Sequence, residues 1–447
     1  MKMEKNKKSL STFLIFFLII LLVIQSKNLW LSFSTTDENP KSNFNANEFL
    51  QEILTPQRII ANFSEREHFM TSDTSEFWKI TAESISKKLQ NATSENLKVI
   101  SIDEYLNLQS QRSIVFKFNS PLSGSVFVNL IGDNRNSNEI NLSVDSIYIS
   151  DKGEIYISGS KNFYKLIDIK VDFQIDEILD KVREKGLHAV NFYEAYGIKK
   201  DIYIPSENYI FLQKVSYISG LYNLEDDKKN ALAERFLNVD SDFMRELSAD
   251  GKNTYIYENE YLSLSRDGII EYSLESLFDS KMRNLNKSLD QAVEFIAQKA
   301  GISSGIYLEK IEPIEYNKNL GYRFFFNLKD GQIPLVLPSK EHSFIEIDVY
   351  SEFVKNYREY YIRKDDNPIY KKEKIYLTDI HRILNKNKKL FSYKSAMDIL
   401  KNIDSLNLVY LSFNKFETEE PMLVYEMSYM DNIYYFNTED GKLMMVR

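Results

Sequence analysis

Cysteine is absent from the 447 residues. That removes disulfides, thiolate metal sites and cysteine nucleophiles together, and leaves packing alone to hold the fold. Glycine and proline are scarce, at 14 and 9, against 29 tyrosines and 29 phenylalanines, a bias toward strands and helices over flexible linkers. The four histidines, His68, His188, His342 and His381, are isolated and lack carboxylate or histidine partners at ligand spacing. Neither a zinc site nor a catalytic triad is expected from them, and surface or local bonding is the expected role. No basic stripe with interleaved aromatics interrupts the formal net charge of -9, which is spread along the chain, so nucleic acid is excluded as a partner. A P-loop, a dinucleotide fingerprint and a calcium loop are missing as well.

What remains of catalytic pattern is weak. The stretch GISSG, Gly301 to Gly305, matches a nucleophile elbow in form, but Ser303 follows an expected helix end and leads into an expected strand, the reverse of an elbow. A helix C-cap loop is the better account. The pair Asp226 and Asp227 and the run Glu417, Glu419 and Glu420 read as a solvated helix start and a solvated loop. The basic run NKNKK, Asn385 to Lys389, reads as a solvated turn. No catalytic, cofactor-binding or metal-binding residue is expected, and a wall hydrolase is disfavoured for want of a constellation.

The strongest signal is SLSTFLIFFLIILLVIQSKNLWLSF, Ser9 to Phe33. Lys2, Lys5, Lys7 and Lys8 precede it with only Glu4 opposed, which places the N-terminus in the cytoplasm. Phe13 to Ile24 is apolar throughout, and a helix continued to Trp30 has the roughly 20 residues, at about 1.5 Å each, that a bilayer requires. No small-x-small cleavage site follows Ile24, so an uncleaved single-pass anchor is expected rather than a removed signal. Small-xxx-small spacing is absent from it, so helix contacts within the membrane fall to Phe13, Phe16, Phe17, Ile20 and Val23, with Trp30 at the interface.

The rest is expected to be α+β with antiparallel sheets: residues 1–8 cytoplasmic, 9–33 the anchor, 34–48 a polar linker, 49–185 an N-terminal domain, 186–280 a middle domain and 281–447 a C-terminal domain. Strands are expected at Arg58 to Phe63, Ser113 to Phe118, Gly124 to Ile131, Ser146 to Ser150 and Glu154 to Ser158. A helix is expected over Thr74 to Leu89, with Phe77, Ile80, Ile85 and Leu89 on one face. In the middle domain, Asn253 to Leu274 should end in a hairpin turning at Arg266, Asp267 and Gly268. In the last domain two helices, each with a capping box (Ser288 with Gln291, Ser395 with Asp398), are each followed by a meander with an Asp-Gly turn, Asp330-Gly331 and Asp440-Gly441. A duplicated helix-plus-meander unit is one reading, and a coincidence of α+β order is the other.

The order of features resembles the YycH family, membrane-anchored regulators of the WalK/WalR (YycG/YycF) two-component system of Gram-positive bacteria. The resembling stretches are NLW (Asn28 to Trp30), LTPQRIIANF (Leu54 to Phe63), FWKI (Phe77 to Ile80), EYL (Glu104 to Leu106), IVFKFNSPL (Ile114 to Leu122), DIYIPSENY (Asp201 to Tyr209) and Glu234 to Tyr272. The resemblance implies a cell-membrane protein without enzymatic activity, its bulk extracytoplasmic, that biases a sensor histidine kinase through its helix and outer domains. It implies a YycI-like sister protein as a second partner; a homodimer is left open, and no cofactor is implied. The competing expectation is an extracytoplasmic binding or chaperone module of the PepSY type that controls a secreted peptidase.

Overall fold

The structure is a computed structural model and describes residues 46–447 except 91–93, 124–142, 160–161, 214–216, 220, 222–223, 277–278, 303, 331–332, 338–342, 365–371, 393, 413–417 and 420. It is mixed α+β with sheets that are largely antiparallel, and Asn45–Arg447 makes one compact unit. Among the described residues no helix is long and apolar enough to cross a membrane.

The alternating stretches of the first half form a nine-stranded sheet. Arg58–Ser64 lies near its centre, between Glu67–Thr71 and Ser113–Ser123. Because side chains of a strand alternate between faces, the cross-strand row Ile59, Phe116, Ile147 and Ile157 points one way. The row Ile60, Val115, Tyr148 and Tyr156 points the other way. Helix Ser75–Gln90 covers the first row, with the Trp78 ring 5.4 Å from Phe116. Tyr105 and Leu108, from the short helices of 102–110, cover the second. Ile80 is 57% exposed and does not belong to the packed face. Phe77, Trp78, Ala82, Ile85 and Leu89 fill it instead, so the apolar stripe lies to one side of the position first assigned. The strand expected at Gly124 to Ile131 lies outside the described residues.

The second sheet has thirteen strands. The middle-domain strands run Arg245–Ala249, Lys252–Tyr257, Glu260–Ser265 and Ile269–Leu274, and the turn before the last contains Gly268 at φ 79°. Ile269 to Ser273 pair with Asn356 to Tyr360, so the sheet runs across the line drawn between residues 280 and 281. One aromatic group, the buried Phe236, Tyr272 and Tyr357 with the partly buried Phe295, ties helix Asp226–Leu237 and helix Leu285–Phe295 to this joint, with ring centroids 5.2 to 6.3 Å apart.

A helix followed by a four-stranded meander occurs twice. Leu285–Phe295, prolonged by a wide turn over Ile296–Ala300 and stopped by Gly301 at φ 70°, precedes Ile306–Tyr316, Asn319–Asp330, Ile345–Tyr350 and Phe353–Tyr360. Helices Ile380–Lys386 and Ala396–Leu400 precede Ile403–Leu411, Met422–Tyr429, Asn432–Asn437 and Leu443–Val446. In each meander successive strands pair in chain order. The strand Ile333–Val336 bridges them, antiparallel to Lys329 and Asp330 and parallel to Tyr410 and Leu411. The second cap is as expected: the Ser395 hydroxyl accepts from the Asp398 amide at 3.1 Å. The first begins a turn earlier, where Asn284 accepts from the Lys287 amide at 3.0 Å. Ser288 is buried inside that helix and donates to the Ser351 carbonyl.

Helix Ala46–Ile53 opens the described chain, and its first three residues fall within the stretch expected as linker. Phe49, Leu50 and Ile53 are buried, against helix Leu285–Phe295 and strand Ile306–Tyr316. The Glu52 carboxylate accepts from the Gly305 amide at 2.8 Å, and its carbonyl accepts from Lys329 at 3.4 Å.

Candidate functional site

Three of the stretches that carry the resemblance contribute a charged residue, Arg58, Lys117 and Asp201, and the fold brings the three together. Arg58 and Lys117 face each other across antiparallel strands, an arrangement of like charges that costs stability unless an anion intervenes. Asp201 supplies it: Lys117 Nζ lies 2.9 Å from its carboxylate and donates to its carbonyl at 2.6 Å. Gln109 donates to the same carboxylate at 2.8 Å. Burial pushes the Arg58 guanidinium down to about 10 and lowers Lys117, with Asp201 opposing both shifts. Nearby, burial pushes the Asp145 carboxyl up to about 6, against the pull of Lys117. One of its oxygens is buried with no hydrogen-bond donor among the described residues.

Beside these charges lies a neutral buried network. His68 Nδ1 is 2.9 Å from Asn62 Oδ1, and His68 Nε2 is 3.2 Å from Asn191 Nδ2. The Tyr203 hydroxyl donates to Asn62 at 3.2 Å. The Glu65 carbonyl also lies 3.1 Å from Nε2, so that nitrogen stands between a donor amide and an acceptor carbonyl. Burial lowers the His68 pKa and favours the neutral ring. His188 pairs with Ser206 at 2.7 Å and His381 with Asn385 at 3.1 Å; these are the local roles expected for them. Among the described residues no group of three His, Asp or Glu side chains could hold a metal.

Two cavities flank this region, and Gln57 lines both. The first, about 330 Å³, lies between the two meanders. Tyr307, Glu309 and Asn327 come from one, and Asn407, Glu426 and Tyr435 from the other. Glu426 accepts from the Tyr435 hydroxyl at 2.9 Å, and burial raises its pKa. Glu309 accepts from Ser343 at 2.6 Å. Burial raises Tyr307 and Tyr435 as well, so both phenols stay protonated as donors. The chamber therefore offers carboxylates, phenols and amides to a polar ligand. The second cavity, about 260 Å³, is mainly apolar, with Arg58 in its wall.

The residues expected at the membrane, Phe13, Phe16, Phe17, Ile20, Val23 and Trp30, lie outside the described residues, as do Ser303, His342 and Glu417. Asp226 and Asp227 open helix Asp226–Leu237 as expected. In the NKNKK run, Lys386 donates to the Asp440 carbonyl at 2.6 Å and Asn387 to the Gly441 carbonyl at 2.8 Å, so two of its residues close a turn. Sequence reasoning passed over Arg58, Lys117, Asp201 and Glu426. The signal for the first two was a single charge inside an otherwise apolar strand-like stretch; Asp201 follows Lys199 and Lys200 and carried no such signal. No family model, curated protein or solved structure matches the chain.

Proposed function

We propose that the chain is a membrane-anchored, non-enzymatic regulator of the YycH type, which biases a sensor histidine kinase from the outer side of the membrane, together with a YycI-like sister protein. Single-pass anchoring at Ser9 to Phe33, with the N-terminus cytoplasmic, is part of that reading; it rests on the apolar run and its lysine flank. The observation that carries the reading is the docking of helix Ala46–Ile53. Its buried Phe49, Leu50 and Ile53, with the Glu52 bonds to Gly305 and Lys329, make the chain from residue 49 part of the core. A displacement arriving from the N-terminal side is then passed to the first meander and its helix. A regulator works through differential affinity for two kinase states, and a docked helix 46–53 gives the chain that enters it a fixed point on the outer domains. The test is recovery of the full chain from membranes with its partners. A copurifying histidine kinase whose output changes when Ser9 to Phe33 is replaced by an unrelated span supports the reading. Unchanged output limits that span to tethering.

A second reading, the PepSY-like binding module with a secreted peptidase as partner, is favoured by the twice-repeated helix and meander with a polar chamber between them. Recovery of a secreted peptidase in place of a kinase decides for it.

A further inference from the structure

The second cavity differs from the first in the balance of its charges. Its wall is built from Met70, Ile204, Ile210, Phe211, Leu408 and Tyr425 among other apolar groups, and among the described residues it contains the cations Arg58 and Lys185 but no carboxylate. Phe211 is 60% exposed at its edge. At about 260 Å³ it is roomier than the roughly 150 Å³ apolar cavity that suffices for a benzene-sized guest.

Arg58 is under-used. Among the described residues its guanidinium has one hydrogen-bond acceptor, Asn407 Oδ1 at 2.7 Å, although it carries five donors. The anion whose charge acts on it, Asp201, is already engaged by Lys117 and Gln109. A half-buried cation with spare donors beside an apolar slot is matched by one chemistry: a planar monoanion, which a guanidinium grips with two parallel bonds, joined to an apolar body. We propose that this cavity binds an aliphatic carboxylate, with the carboxylate on Arg58 and the chain along Ile204, Ile210, Phe211 and Leu408. The site draws on the body of the protein alone and stands whether or not a kinase is the partner. Two sources share this chemistry: a free fatty acid, and the C-terminal carboxylate of an apolar peptide.

The test uses the full chain in lipid nanodiscs, with empty nanodiscs as the blank for partitioning. Binding of carboxyl-labelled octanoate is followed by carbon-13 NMR and compared with octan-1-ol by calorimetry. Octanoate is expected to bind at least tenfold more tightly than the alcohol. Arg58→Met should remove that preference, and Phe211→Ala, which changes no charge, should weaken acid and alcohol alike. The acid-to-alcohol ratio on the unmodified chain keeps the test valid if Arg58→Met fails to fold. A parallel arm compares an acetylated Ala-Leu-Leu-Leu free acid with its amide. A preference confined to the peptide acid assigns the carboxylate to a chain terminus, and a preference for octanoate assigns it to a fatty acid. Equal affinity for acid and alcohol together with equal affinity for peptide acid and amide overturns the proposal, as does undiminished octanoate binding by folded Arg58→Met.

Discussion

The two helix-and-meander units share an order of elements and differ in what covers the sheet face away from the helices. In the first unit that face carries a ladder of alternating charge. Arg323 grips Asp348 with two bonds of 2.5 and 2.8 Å, Arg358 stands between Glu271 and Glu346, and Glu271 also meets Lys252 at 2.8 Å. In the second unit the matching row is Asn407, Glu426 and Tyr435, and it faces the chamber between the units. Its carboxylate has a phenol and an amide beside it in place of an arginine across the strand, and burial raises its pKa. A shared topology thus tolerates two electrostatic solutions. Where a cation stands across the strand the carboxylate is paired with it; where the cross-strand neighbours are neutral, it is held by their hydrogen bonds and burial moves it toward its protonated form.

The sharpest break in the comparison is expected at the helix end of the first unit, whose arginine contacts have no counterpart among the described residues of the second. Arg235 donates to the carbonyls of Lys299 and Ala300 at 2.8 and 3.2 Å, and Arg363 adds a bond to Ala300 at 3.1 Å. Glu359, 1% exposed, balances them through Arg363 at 2.5 Å and the Tyr357 hydroxyl at 2.8 Å. Removing one member of a buried ion pair strands the other. Glu359→Ala should therefore cost about 3–5 kcal/mol in a urea titration, and a loss below about 1 kcal/mol would show that the arginines are solvated and not locked.

Next in size is the ladder. Asp348→Asn leaves Arg323 without its bidentate acceptor, and about 1.5 kcal/mol should be lost, since Arg323 is half-exposed. Raising salt should shrink this difference between variant and parent. The two caps come after it. Asn284→Ala and Ser395→Ala each remove one amide acceptor at a helix start, and each should cost about 1 kcal/mol. If only the first is costly, the short helix Ala396–Leu400 is held by the packing of Ile399 and Leu400 and not by its cap.

These variants also mark how far the sequence could be read. Period-two alternation located the strands because the pattern is local, and the turn at Gly268 was legible because its φ of 79° favours glycine. The cap at Ser395 was legible for the same local reason. The cap at Asn284 was hidden, since the first turn of its helix, Leu285 to Ser288, carries no apolar stripe to announce it. Ile80 misled because an isoleucine near an apolar face scores for that face, while the nearby Trp78 and Ala82 in fact pack there. The charge cluster lay beyond any local rule. Arg58 meets Asn407 across 349 positions and Lys117 meets Asp201 across 84; only the folded register reveals that the three charges share one place.

The smallest expected effect tests the electrostatic contrast most directly. Glu426 has its pKa raised in the folded protein, so between the unfolded value of about 4.3 and that raised value the folded state holds more protons than the unfolded one. Its contribution to stability is thus complete below pH 4 and is lost as the pH climbs through the folded pKa. Glu426→Gln keeps an acceptor for the Tyr435 hydroxyl and cannot ionise. Relative to the parent it should be level or slightly worse at pH 4 and should gain steadily toward pH 8, by less than about 1 kcal/mol if the chamber admits water. A flat pH profile for Glu426→Gln relative to the parent would mean that the folded carboxyl titrates as it does in the unfolded chain, and the contrast between the units would then reduce to their helices.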